Sequence, residues 1–187
     1  MNGDSDAGQR SRVSRRRVMA AGGAIGTGLL AGCAGDGTDS GDSGESTDAE
    51  MTWRTTELTD VLTDEMFTVD GLEGPVAIQS FAVWCPKCER QSKELANVDG
   101  SVTVVSLNTD PNEAAGKVRE HAESNGFDWR FAVAPTEMTG SLVEAFGTAV
   151  TNAPSTPIIV ACDDGVAEFF SGSQQSVEEI QTAAAEC

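Results

Sequence analysis

Cys85 and Cys88 stand three positions apart, enclose Pro86 and Lys87, and follow Trp84. Two thiols at this spacing can reach each other if they open a helix. The first then lies where the backbone N–H groups of the initial turn have no intrahelical partner. Those groups and the helix dipole favour a thiolate. Pro86 suits the first helical position, because its missing N–H costs nothing there. The chemistry this implies is thiol–disulfide exchange. Cys85 is the exposed nucleophile, and Cys88, one turn deeper, resolves the mixed disulfide. Lys87 and Arg90 add positive potential near Cys85, partly offset by Glu89. A zinc site would need two further ligands. Cys162 and Cys187 do not form a second such pair, and the chain has a single histidine, His121. A purely structural bridge is the weaker reading, since so short a loop constrains the unfolded chain little.

Strands alternating with helices must position this pair. Residues 76–83 form an apolar strand candidate behind Gly74-Pro75, and the helix over 86–98 starts at the cysteines. A β-branched strand at 102–107 and a helix at 112–125 follow, the helix ended by Gly126. A short strand at 129–134 and a helix at 137–146 come next. Strands at 157–161 and 166–170 flank Asp163-Asp164-Gly165, a hairpin signal, and a helix spans 176–185. Within 58–72, Phe67, Val69 and Leu72 suggest an edge strand. The alternation argues a layered α/β domain.

Phe81-Ala-Val-Trp-Cys-Pro-Lys-Cys88 resembles the active-site strand and turn of the thioredoxin fold, a central mixed β-sheet flanked by helices. The membrane-tethered extracytoplasmic thiol–disulfide oxidoreductases of the TlpA/ResA type are the most similar branch. Thr156-Pro157 followed by Ile-Ile-Val-Ala matches that family's cis-proline loop. The resemblance implies that Pro157, favoured over the competing candidate Pro154 by its spacing from Gly165, is a cis proline packed against the cysteines and that the Thr156 backbone pairs with a bound substrate strand. Trp84 and Pro86 then lie near substrate. It also implies reduction of protein disulfides outside the membrane, with electrons passed to or from a membrane partner protein and no cofactor beyond the dithiol. Oxidation or isomerisation of protein disulfides, and a non-catalytic binding domain on the same fold, stay open. Gln79 occupies the register position where thioredoxins carry a buried carboxylate, and an amide cannot take a proton at neutral pH. Trp53 and Trp129 read as packing residues, and His121 as a surface residue of its helix.

Residues 1–32 read as an address. Arg15-Arg16-Arg17 precede an apolar, glycine-rich run too short to span a bilayer, and Leu30-Ala31-Gly32-Cys33 closes it. The layout resembles a twin-arginine signal ending in a lipobox, which makes Cys33 the lipidated residue and the protein an extracytoplasmic, lipid-anchored one. Residues 33–50 form an acidic Gly/Ser-rich tether, and 51–187 the thioredoxin-like domain. Cys162 and Cys187 are then the remaining cysteines. Thiols outside the cytoplasm tend to pair, so a disulfide between them or two separate thiols are both open.

The full chain carries 30 acidic and 12 basic side chains, and the region from residue 51 onward carries 22 and 7. No basic patch exists to neutralise phosphates, which argues against nucleic acid. Such a surface repels itself at low salt and resembles those of extreme halophiles.

Overall fold

The structure, a computed structural model, describes residues 9–13 and 52–187. The arginine pair, the apolar run, Cys33 and the tether lie outside the described residues. Six strands form one mixed sheet in the order β1-β8-β7-β4-β5-β6, where β1 is Gln9–Val13, β4 Val76–Phe81, β5 Thr103–Asn108, β6 Arg130–Val133, β7 Ile158–Ala161 and β8 Ala167–Ser171. β4 runs parallel to β5 and β5 to β6, while β7 and β8 run antiparallel to their neighbours. β1 pairs with the β8 edge and falls within the segment expected to be an export signal.

β4 is central and buried along its whole length. It therefore reads as a nearly continuous apolar run rather than an alternating one. Its two faces still go different ways. Val76 and Ile78 join Val105, Leu107, Ile159 and Ala161 in the core beneath the helix Thr136–Phe146, here α3. Ala77 faces the other layer, with Leu95 of α1 (Pro86–Leu95) and with Ile180, Ala183 and Ala184 of α4 (Val177–Ala185). Phe81 packs on Val118 and Ala122 of α2 (Ala115–Asn125). Helices thus cover both faces of the sheet, as the alternation predicts. Among the described residues no helix is long and apolar enough to cross a membrane.

Local chemistry sets the boundaries. Gly126 ends α2 in the left-handed conformation at φ 71°, which a residue without Cβ adopts freely. Ser176 and Glu179 form a reciprocal capping box on α4. Gly165 takes φ 86° in the turn between β7 and β8. Residues 58–72 depart from the expected edge strand. Leu58–Thr59 (β2) and Met66–Phe67 (β3) make a separate two-stranded sheet, and Val69–Gly71 is a 3-10 turn capped by Thr68. Asp60 diverts the chain there. Its carboxylate accepts from Leu62 N–H, Thr63 Oγ1 and Phe131 N–H, turn chemistry that outweighs the apolar spacing.

Cys162, at the end of β7, and Cys187, beyond α4, form a disulfide with Cα atoms 5.2 Å apart. Buried Arg54 supports the same corner, donating to the carbonyls of Cys162 and Val166 at 3.1 and 2.9 Å and pairing with Asp70 at 3.2 Å. The bridge closes a separation of 25 residues, for which the chain-entropy model gives about 3 kcal/mol. Replacing both cysteines by serine is expected to lower Tm by about 10 °C. An unchanged thermal melt would show that α4 docks as firmly without the bridge.

Candidate active site

The strand β4 delivers the chain to residues 82–84, and α1 begins directly after them. Cys85 is the N-cap of α1, with φ −92° and ψ 104°, and Pro86 is in the first turn. The sulfur of Cys85 accepts the backbone N–H of Cys88 at 3.2 Å. The two cysteines are joined as a disulfide, with Cα atoms 5.3 Å apart. In this oxidised state Cys85 is 2% exposed, against the expectation of an open nucleophile. Its sulfur is bonded inward to Cys88, and both side chains pack on Phe81, Ala82 and Val118. Pro86 and Lys87 are exposed between them.

Behind Cys88 lies a buried polar network. Gln79 Nε2 donates to the Cys88 carbonyl at 2.8 Å, and Gln79 Oε1 accepts from Ser92 Oγ at 2.8 Å and Ser106 Oγ at 3.3 Å. Trp129 Nε1 donates in turn to Ser106 Oγ at 3.0 Å. Gln79 fixes the first turn of α1 against β4 by using both ends of its amide. A carboxylate there would supply no donor for the Cys88 carbonyl. Trp129 combines this bond with packing on Phe127 and Phe131.

The loop from Ala153 onward closes the other side. Cys88 Sγ lies 3.2 Å from the Ala153 carbonyl. The expected cis proline is not there. The Thr156–Pro157 bond is trans, like every peptide bond among the described residues. Thr156 itself turns the chain into β7 through a left-handed backbone, φ 48° and ψ 58°, after the 3-10 turn Ala153–Ser155. Its N–H already donates to the Ala153 carbonyl at 2.9 Å, so it is not open to a substrate strand. The Pro157 carbonyl accepts the Ser80 N–H and joins the loop to β4.

Trp84 is 58% exposed, and its indole N–H donates to Asp110 Oδ2 at 2.6 Å. The Asn112 backbone N–H, and then this indole, hold the Asp110 carboxyl below the usual range. Trp84 walls a cleft of about 510 Å³ shared with Pro111, Val143, Thr151 and Ala153. Sequence reasoning missed Glu113. This buried carboxylate accepts the Val83 N–H at 2.7 Å and Asn108 Nδ2 at 2.6 Å, and so holds the loop just ahead of Trp84 and Cys85. Its only sequence signal is an acidic residue ahead of a helix whose N-cap, Ala114, supplies no side-chain bond. His121 is buried rather than on the surface, stacked on Phe81 at 5.6 Å between ring centres. Burial pushes its imidazole pKa down, while Glu89 and Glu113 pull it up.

No family model and no curated protein sequence matches the chain. Solved structures do. The chain superposes on a putative electron transfer protein from Aquifex aeolicus with a TM-score of 0.57 at 16% identity, over 68% of this chain and 90% of that one. It superposes on a secreted Mycobacterium tuberculosis disulfide oxidoreductase homologous to E. coli DsbE with a TM-score of 0.56 at 16% identity, over 72% and 98%. A DsbF homologue from Corynebacterium diphtheriae gives 0.55 at 14% identity, over 71% and 83%. The domain has the thioredoxin fold.

Glu113 yields a direct test of how the thioredoxin-fold loop is held. Glu113→Ala leaves the Val83 N–H and the Asn108 amide without their acceptor, at a cost of about 2 kcal/mol. Glu113→Gln keeps an acceptor oxygen and is expected to recover about half of that. Urea denaturation of the oxidised protein measures both. Equal stability of the alanine variant and wild type would remove Glu113 from this role.

Proposed function

We propose that this chain is a membrane-anchored, extracytoplasmic thiol–disulfide oxidoreductase that reduces disulfides of partner proteins. One observation carries the reading: a Cys85–Cys88 disulfide that caps the N-terminus of α1 within a thioredoxin fold. In the reduced protein, the Cys85 thiolate attacks one sulfur of a partner disulfide and expels the other as a thiolate. Cys88 loses its proton and attacks Cys85 in the mixed disulfide. The partner leaves with two electrons, two protons from water complete its thiols, and Cys85–Cys88 is left oxidised. A membrane electron donor must then restore the dithiol. Trp84 and Pro86, exposed beside the pair, meet the partner first.

The reductive direction follows the resemblance to tethered relatives. The extracytoplasmic site follows the twin-arginine and lipobox pattern ending at Cys33, and one structural neighbour is itself described as secreted. Reduction of insulin with dithiothreitol as donor tests the chemistry. Wild-type protein is expected to accelerate precipitation, and Cys85→Ser to fall to the uncatalysed rate. Equal rates for the two would contradict the assignment. Titration against the glutathione couple tests the direction, and a midpoint as oxidising as that of a periplasmic oxidase would reverse it. Fractionation of cells carrying Cys33→Ser tests the anchor, with loss from the membrane fraction expected.

A further inference from the structure

Lys87 and Arg90, three residues apart on one side of α1, line a cleft of about 130 Å³ completed by Pro154, Thr156, Ser173 and Gln174. Neither cation forms a salt bridge or a side-chain hydrogen bond among the described residues, although Arg90 lies near Glu89 in the sequence and contributes to its electrostatic field. Three of the domain's five other cations are engaged in salt bridges. Arg54 pairs with Asp70 at 3.2 Å, Lys93 with Glu89 at 2.6 Å, and Arg119 with Asp64 at 2.6 Å. No carboxylate lines the cleft, in a domain where acidic side chains outnumber basic ones by 22 to 7. One residue that lines the cleft holds an unspent polar group. Thr156 is 2% exposed, and its hydroxyl is buried without a hydrogen-bond partner.

The cleft lies against the reactive pair. Lys87 stands between the two cysteines, and the carbonyl of Ala153, which opens the turn leading to Thr156, lies 3.2 Å from the Cys88 sulfur. A chain whose cysteine engages Cys85 would therefore carry its adjacent residues past Lys87 and Arg90. Two cations without a salt-bridge partner and an unsatisfied hydroxyl together suit an oxyanion, and the oxyanion that a protein substrate carries on its side chains is a carboxylate.

We infer that the substrate carries an Asp or Glu side chain beside the cysteine that Cys85 attacks, and that this carboxylate seats between Lys87 and Arg90 with the Thr156 hydroxyl as a further donor. The inference rests on the dithiol reading above and names its substrate class. The cleft selects acidic segments locally, although the surface as a whole repels them. The preference must shrink as salt screens it.

Two cyclic peptides test it, each closed by one disulfide and differing only in Glu or Gln next to one cysteine. Full-length reduced protein is mixed with each. The reduction rate is divided by that of dithiothreitol with the same peptide, which cancels the peptide's own reactivity. Wild-type protein is expected to prefer the Glu peptide about fivefold at low salt and little at molar salt. Arg90→Gln and Lys87→Gln are each expected to bring the ratio close to one. Lys93→Gln removes the same charge outside the cleft and is expected to keep the preference. Each ratio compares two peptides on one protein, so a change in potential or folded fraction cancels. Equal rates for the two peptides on wild type, or a preference that survives Lys87→Gln and Arg90→Gln, would overturn the inference and leave the dithiol chemistry standing. Failure to reduce either peptide would remove the dithiol chemistry and the inference with it.

Discussion

The backbone N–H of Cys88 points at the sulfur of Cys85 from 3.2 Å, inside the first turn of α1. That contact requires a helix to begin at Cys85, and the requirement propagates through the domain. The chain must leave a buried central strand, turn within residues 82–84, and enter the helix without a wasted N–H, which Pro86 ensures. Once formed, the helix N-terminus offers unpaired donors and a positive dipole end to a thiolate. The structure braces this junction from three sides. Gln79 ties the Cys88 carbonyl to β4, Glu113 holds the Val83 N–H, and the Ala153 carbonyl packs against the Cys88 sulfur at 3.2 Å.

The electrostatic setting is unusual for a reactive thiol. With 22 acidic and 7 basic side chains from residue 51 onward, the domain's net charge works against a thiolate, so the proposed activation of Cys85 must be local. The helix end provides part of it. Lys87 and Arg90, left without carboxylate partners, provide more and lie on the side where the loop Ala153–Ser155 approaches. On the other side Trp84 and Asp110 share a 2.6 Å hydrogen bond that holds the exposed indole over the larger cleft. The pair is thus set between the Trp84 cleft, which carries the Asp110 carboxylate, and the cationic cleft of Lys87 and Arg90.

Much of the fold was legible from periodicity and punctuation. The strand over 76–81, the helix starting at Pro86, the end at Gly126 and the hairpin at Asp163-Asp164-Gly165 all follow from local rules, and the structure places them within a few residues. The reactive pair was legible because two thiols at one helix end have few other uses. What was not legible depends on long-range geometry. The amide of Gln79 matters because Ser92 and Ser106 arrive from other elements. His121 is buried by the packing of α2 on Phe81, and Glu113 is held by Val83 and Asn108 from other elements, which no local pattern around either residue announces. At Thr156-Pro157 the sequence suggested a cis bond, whereas the left-handed Thr156 accomplishes the chain reversal. In 58–72, side-chain bonds to Asp60 replaced a strand that apolar spacing had favoured.

In the proposed mechanism the N-terminus of α1 activates Cys85 and leaves Cys88 shielded. Alkylation of the reduced protein by iodoacetamide as a function of pH, with the modified cysteine located by peptide mapping, tests it directly. Cys85 is expected to be modified first, along a curve whose midpoint lies below the value of about 8.5 for a free thiol. A midpoint at or above that value, or modification of Cys88 ahead of Cys85, would contradict it.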